Sequence, residues 1–145
     1  MKIKAYILRE PDKKGRAYMG YFSEIENSLE AKQELVGGNI EVLPITPEID
    51  AIINEEGKLK GLGVNRILSL NPNEANEVLV GNIICVRHNE KGEFISILDS
   101  DKEIIDEMLI PVKCFMELPQ EDGGSGIFVL RERKLFDYEE DNGKD

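Results

Sequence analysis

The chain has 145 residues, of which 41% are hydrophobic and 32% are charged, and its formal net charge is −11. This length suits a single domain, and a globule of this size buries enough surface to fold without a metal ion or a disulfide framework. The negative charge would repel nucleic-acid phosphate and anionic lipid, which argues against broad electrostatic binding to either and suits a basic protein partner.

The start of the chain predicts two strands and a helix. The opening KIKAYILRE alternates apolar and polar side chains, which is typical of a strand with one buried face. AYMGYF (17–22) is compatible with a returning second strand. Asn27 and Glu30 form an approximate capping box for a helix of about ten residues, and Gly37-Gly38 is expected to end it.

The middle of the chain predicts further strands. Residues 39–45 and 49–54 are rich in β-branched side chains and are separated by a proline. EVLV and IICV flank Gly81-Asn82, which is typical of a two-residue hairpin turn with glycine at positive φ. IICVRH and EFISIL are joined by residues 89–92, which predicts a second hairpin.

A second helix and a last strand complete the predicted domain. Ser100 and Glu103 form a full capping box, and apolar residues follow at helical spacing until Pro111 stops the helix. VKCFMEL (112–118) predicts the last strand. Because strands and helices are mixed without strict β-α-β alternation, the expected fold is α+β, with a compact mixed or antiparallel sheet and two short helices.

The composition changes after this strand. QEDGGSG (120–126) has the composition of a flexible linker, and the last residues are acidic. We therefore predict one α+β domain over residues 1–118, followed by a Gly-rich linker and an acidic C-terminal extension over residues 119–145. No secretory leader and no apolar run of about 18 residues is present, so a cytoplasmic protein without membrane attachment is expected.

The sequence carries no common catalytic or phosphate-binding motif. Its one histidine, His88, follows Cys85 by three residues, which on a strand places the two side chains on opposite faces and excludes a local dyad. Cys85 and Cys114 lie in apolar surroundings and are expected to be buried, reduced thiols. No spacing of carboxylates locates a metal site or an acid–base pair. We predict no metal and no cofactor, and favour binding over catalysis.

One polar stretch, NEEGKLKGLGVNR (54–66), stands out between two apolar runs. Its cations and asparagines suit an anionic ligand, and its glycines would let that ligand approach the backbone closely. The predicted ligand-binding residues are Asn54, Glu55, Lys58, Lys60, Asn65 and Arg66. The alternative is structural: Gly57 supplies a turn, Lys58, Lys60 and Arg66 are solvated, and the apolar residues face inward (Leu59, Leu62, Val64 and Ile67). If Arg66 instead clamps Glu41, Glu55 or loop carbonyls, the stretch is a polar clasp that holds two strands together.

Four segments carry a family resemblance. They are SLEAKQELVGGNIEVLPI (28–45), AIINEEGKLKGLGVNR (51–66), VGNIICV (80–86) and GEFISIL (92–98). In this order they resemble an uncharacterised domain-of-unknown-function family found in phages and conjugative elements of low-GC Gram-positive bacteria, over roughly residues 3–115. Gly63 departs from the pattern, which favours proline there. The motif positions are Gly37, Gly38, Glu41, Asn54, Glu55, Gly57, Lys58, Asn65 and Arg66, of which Gly37, Gly38, Glu41 and Gly57 are expected to be structural.

The resemblance implies a setting, an accessory protein of a mobile element inside the bacterium, but no activity. The first hypothesis is a non-enzymatic binding protein that counters host defence by sequestering an anionic nucleotide signal around Lys58, Asn65 and Arg66. The second is an acidic, DNA-mimic-like inhibitor of a host protein. The third is an enzyme with unrecognised carboxylate chemistry. The expected partners are an anionic small ligand or a host protein, and a homo-oligomer is compatible with either.

Overall fold

The computed structural model describes residues 1–69, 77–111, 115–119, 125–129 and 135–138, with 115–119 and 125–129 described as backbone strands. The predicted α+β fold is confirmed within these residues. The helices are α1 (Leu29–Val36) and α2 (Asp101–Met108). The strands are β1 (Lys2–Leu8), β2 (Ala17–Tyr18), β3 (Tyr21–Glu26), β4 (Ile40–Pro44), β5 (Ile49–Asn54), β6 (Val64–Leu68), β7 (Glu77–Val80), β8 (Ile83–His88), β9 (Phe94–Ile95), β10 (Leu109–Ile110), β11 (Phe115–Pro119), β12 (Ser125–Val129) and β13 (Leu135–Phe136).

The largest sheet is antiparallel, with the order β3-β1-β8-β5-β4, and β9 pairs with β8 beyond the end of β1. Helix α1 packs on one face, where its Val36 joins apolar residues of β1, β5 and β8. A three-stranded sheet, β10-β6-β7, and helix α2 cover the other face. Strand β1 is therefore buried on both faces from Ala5 onward, and not on one face as its alternation predicted, because Tyr6 and Leu8 face the second core.

The hairpin predicted at Gly81-Asn82 does not form. Strand β7 pairs with β6, whereas β8 pairs with β1 and β5, so the two residues make a corner between two sheets. Gly81 has the positive φ (77°) that was expected. Asn82 fixes the corner, because its Oδ1 accepts from the Glu10 N–H and its Nδ2 donates to the Leu35 carbonyl. The hairpin at residues 89–92 is confirmed by the pairing of β8 with β9.

Helix capping differs from both predicted boxes. Ser28 caps α1, since its side chain accepts from the Ala31 N–H, whereas Asn27 lies one residue earlier and its Nδ2 donates to the Phe94 carbonyl. The glycine C-cap is confirmed, with Gly37 in the left-handed region at φ 82°. At α2 the Ser100 side chain makes no capping hydrogen bond, because the backbone of Ser100 is itself helical. Asp101, the first residue of α2, instead accepts from the N–H of Leu98, which precedes the helix, through its Oδ2.

These contacts predict that one serine substitution lowers the stability of the protein and that another leaves it almost unchanged. Ser28→Ala should lower the free energy of unfolding by about 1 kcal/mol, because it removes a real N-cap. Ser100→Ala should change it by less than about 0.5 kcal/mol, as expected for an exposed position without a specific contact. Urea denaturation of the two variants measures both. Equal losses would show that Ser100 caps α2 in solution.

The C-terminal part differs from the predicted linker. Residues 120–124 and 139–145 lie outside the described residues, but Ser125 and Gly126 belong to β12, which pairs with β11. Strand β13 pairs in parallel with β2. The predicted strand over 112–118 is observed from Phe115 on. The domain boundary at residue 118 stays a prediction. Neither described helix is long and apolar enough to span a membrane.

Candidate functional site

The stretch 54–66 starts at the last residue of β5, turns, and enters β6. Asn54 is buried and bridges two elements, since its Nδ2 donates to the Val36 carbonyl and its Oδ1 accepts from the Glu56 N–H. It therefore holds the C-terminus of α1 to the turn. Because its donor and its acceptor are both hydrogen-bonded inside the protein, the Asn54 amide has a structural role.

Asn65 and Arg66 form a buried polar pair. Asn65 is fully buried, and its Nδ2 donates to the carbonyls of Leu8 (2.9 Å) and Gly81 (2.8 Å). Arg66 is 2% exposed; its Nη1 donates to Asn65 Oδ1 (2.8 Å) and its Nη2 to the Tyr18 carbonyl (2.7 Å). The pair joins β1, β2, β6 and the Gly81 corner. Of the two interpretations of this stretch, the geometry favours the polar clasp for these two residues.

The two lysines of the stretch lie at the surface. Lys58 Nζ is 3.3 Å from Glu77 Oε1, and both side chains are more than half exposed. Lys60 Nζ makes a long contact, 3.4 Å, with the Gly37 carbonyl. Exposed ion pairs of this kind contribute little to stability. The structure therefore brings only part of the predicted set together: Asn54, Glu55 and Lys58 line one cleft. Lys60 lies at the surface, and Asn65 and Arg66 are buried.

Two of the three glycines predicted to be structural, Gly38 and Gly57, have tight surroundings. A Cβ at Gly38 would lie 2.9 Å from Lys60 Nζ and 3.0 Å from Asn54 Nδ2, and a Cβ at Gly57 would lie 2.7 Å from a methyl group of Val80. Gly63 donates its N–H to Glu10 Oε2 (2.7 Å). A proline at this position could not make this hydrogen bond, because proline lacks the donor.

Part of the stretch lines a small cleft of about 90 Å³. Three carboxylates, from Glu41, Glu55 and Glu77, lie around it with the single ammonium of Lys58, and Ile53 and Val80 are among its apolar lining. Leu59, also in the lining, is 89% exposed. An apolar floor with an excess of carboxylates suits a cationic ligand better than an anionic one.

Strand β4, which contributes Glu41 to the cleft, is an edge strand. Among the described residues it pairs with β5 alone. The Glu55 N–H donates to the Asn39 carbonyl directly opposite, which fixes the alternation of the antiparallel ladder. The N–H and C=O groups of Ile40 and Val42 consequently point away from β5. Val42 is partly exposed as well, so the edge offers both backbone hydrogen bonds and apolar surface.

A family model described as a domain of unknown function, DUF3846, matches residues 3–110, which run from β1 to β10. The chain belongs to the DUF3846 family. The resemblance to a domain-of-unknown-function family is thereby confirmed. No curated protein and no solved structure matches the chain. The description of the family states no activity, so the function of this DUF3846 domain has to be inferred from its own geometry.

One polar pair of the DUF3846 domain was missed by the sequence reasoning. His88 Nδ1 lies 2.7 Å from Asp50 Oδ2, across the β5–β8 pairing, with the Asp50 side chain largely buried. Such a carboxylate fixes the orientation of an imidazole, as in many catalytic sites. The two residues are 38 positions apart in the sequence, so no local pattern predicts their contact. Cys85 is no partner: it packs in the core below the opposite face, where burial raises the pKa of its thiol.

Proposed function

We propose that this DUF3846 protein is a non-enzymatic binding protein that takes an extended, lysine- or arginine-bearing segment of a partner protein along β4, beside the acidic cleft. The observation that supports it most is the open edge of β4 next to a cleft with three carboxylates and one ammonium. Addition of a strand to a sheet edge supplies affinity through the main chain, and neighbouring side chains supply specificity. Leu59 is available as an apolar contact for such a segment.

The competing proposal, sequestration of an anionic nucleotide, has less support. It needs the donors of Asn65 and Arg66 in a cavity, but these donate to carbonyls of β1, β2 and the Gly81 corner. Lys58, the remaining cation of that proposal at the cleft, is paired with Glu77. The geometry is closer to the second hypothesis, an acidic inhibitor of a host protein. The enzyme hypothesis rests on the Asp50–His88 pair alone.

The proposal also includes the setting. The motifs over residues 28–98 resemble those of accessory proteins of phages and conjugative elements, which act inside the host bacterium and often work stoichiometrically. A protein of this kind that captures a basic segment of a host defence factor would need affinity and abundance, but no catalytic site.

Peptide selection tests the binding preference. Random displayed peptides selected on the protein should carry lysine or arginine at alternate positions, because alternate side chains of an added strand lie on one side of the sheet. The double variant Glu41→Lys/Glu77→Lys should weaken binding of a selected peptide by about tenfold. Added salt should weaken binding of the same peptide to the wild type, because it screens the attraction between the carboxylates and the cationic side chains.

The matched control is Glu24→Lys, an exposed glutamate on β3 at the opposite edge of the sheet, which should leave the affinity unchanged. Neutral or acidic selected peptides, no selected peptide at all, or equal affinities for the double variant and the wild type would each refute the proposal.

A further inference from the structure

A second surface of the protein is occupied by its own C-terminal segment. Residues 135–138 lie on what we call the tyrosine cradle, which consists of Arg9, Arg16, Tyr18 and Tyr21. Strand β13 pairs in parallel with β2, with Leu135 opposite Ala17 and Phe136 opposite Tyr18. The Met19 N–H donates to the Phe136 carbonyl (2.7 Å). The segment is therefore aligned by backbone hydrogen bonds before any side chain is considered.

Aromatic rings and cations complete the contact. The Tyr138 ring stacks on Tyr21, with centroids 5.3 Å apart and planes 6° from parallel, and meets Tyr18 edge-on at 5.2 Å. The Arg9 guanidinium lies 5.1 Å from the centre of the Tyr138 ring, and its Nε donates to the Tyr21 hydroxyl. Arg16 lies over Phe136 in the same way. These are the preferred geometries of ring stacking and of cation–π contacts.

The cradle and its occupant belong to different parts of the chain. The cradle residues lie inside the region matched by the DUF3846 family model, whereas residues 135–138 lie beyond its end at residue 110. The charges match in part. Arg9 and Arg16 belong to the cradle, although Arg16 is also paired with Asp12. The segment contains Asp137 and is followed in sequence by three carboxylates, although Arg133 and Lys134 precede it. The occupant is thus an aromatic peptide with an acidic C-terminal side, on a surface of two tyrosines and two arginines.

The connection that precedes the segment is short. Residues 130–134 separate the end of β12 from the start of β13. Such a connection spans about 20 Å at most. A short connection before an exchangeable element favours exchange between protomers, because the same contacts form in either arrangement.

We propose that the tyrosine cradle takes the 135–138 segment of a second copy of this chain, which links two protomers by exchange of their C-terminal segments. The exchanged dimer makes the same backbone and ring contacts as the monomer. It presents two β4 edges at once, which would raise the avidity for a repeated or dimeric partner. The exchange itself does not depend on the proposed function of the cleft.

A complementation experiment tests the exchange in the full chain. Tyr21→Leu removes the stacking surface of the cradle, and Tyr138→Ser removes the ring of the segment. In analytical ultracentrifugation each variant alone should be monomeric, whereas an equimolar mixture should form a 1:1 dimer, because one copy has an intact cradle and the other an intact segment. A mixture that stays monomeric over the concentration range in which the wild type dimerises, or a wild type that never dimerises, overturns the proposal.

A synthetic peptide with the sequence of residues 133–141 provides the second test, which needs no cradle variant to fold. The Tyr138→Ser protein should bind it about tenfold more tightly than the wild type does, because in the wild type the linked segment competes for the cradle. The same peptide with serine in place of tyrosine should not bind. Equal binding to both proteins, or binding to neither, would show that the cradle does not accept the segment in trans.

Discussion

Replacing Arg66 with alanine is expected to lower the free energy of unfolding by about 4 kcal/mol. The guanidinium donates to the Asn65 carbonyl, to the Asn65 side chain and to the Tyr18 carbonyl, in a site that is closed to water. Each buried acceptor left without a donor costs about 1–3 kcal/mol. Urea denaturation at constant m-value measures the loss, and Lys13→Ala, at an exposed cation, should change stability by about 0.5 kcal/mol at most.

Arg66→Lys separates charge from geometry. A lysine keeps the charge but not the planar fork. The free energy of unfolding of Arg66→Lys should therefore lie between those of the wild type and Arg66→Ala. Asn65→Ala should lower the free energy of unfolding by a similar amount to Arg66→Ala, since it leaves the carbonyls of Leu8 and Gly81 without their donor. An Arg66→Ala protein with unchanged stability and lost affinity for nucleotides would contradict the clasp and restore the anion-binding hypothesis.

The second large effect is expected at Asp101. Its buried carboxylate accepts two hydrogen bonds from Arg87, at 2.7 and 2.8 Å, and one from the Leu98 N–H. Together they tie α2 to β8. Asp101→Asn should lower the free energy of unfolding by about 3 kcal/mol, because Arg87 is left with an incomplete set of acceptors. Asp99→Asn, two residues earlier on an exposed side chain, is the control and should have a much smaller effect.

The stability difference between the wild type and Asp101→Asn should depend on pH, because it depends on the pKa of Asp101. Hydrogen bonds from Arg87 and Leu98, together with the charge of Arg87, outweigh burial and hold the pKa of the folded carboxyl below its ordinary value of 3.8. A lowered pKa contributes stability above the unfolded value, and this contribution is lost as the pH falls through the folded value. The gap between wild type and Asp101→Asn should be full at neutral pH and shrink below about pH 4. A gap that widens toward acid pH would contradict this assignment.

Local patterns in the sequence were sufficient for many of the elements, although β6 was not predicted. The strand β1, the glycine end of α1 and the turn at residues 89–92 are set by residues close in sequence, and each is observed. The capping serines were harder, because Asn27 and Ser28 are both good N-cap residues and only packing decides between them. At α2, the Ser100 backbone is helical and its side chain caps nothing, whereas the Asp101 carboxylate is held by Arg87 and by the Leu98 N–H.

Long-range pairing explains what could not be predicted. Gly81 suits a hairpin turn, but β7 finds its partner in β6, and nothing local reveals that choice. The same holds for Asp50 and His88, which meet only because β5 and β8 are neighbours. Arg66 was expected to be either solvated or ligand-binding, because charged side chains in loops are usually exposed. The carbonyls that it satisfies belong to other segments, so its burial is a property of the assembled fold.

The most direct test of the proposed function is the affinity of a selected cationic peptide for two variants of Val42. Val42→Pro removes the outward-facing N–H, and an edge strand tolerates the change because that N–H is not bonded to β5. Val42→Thr keeps the N–H and the β-branched shape. Strand addition at β4 predicts a loss of about tenfold or more for the proline variant and wild-type affinity for the threonine variant. Equal affinity of both variants for the peptide would show that the peptide binds elsewhere, and would contradict the proposal.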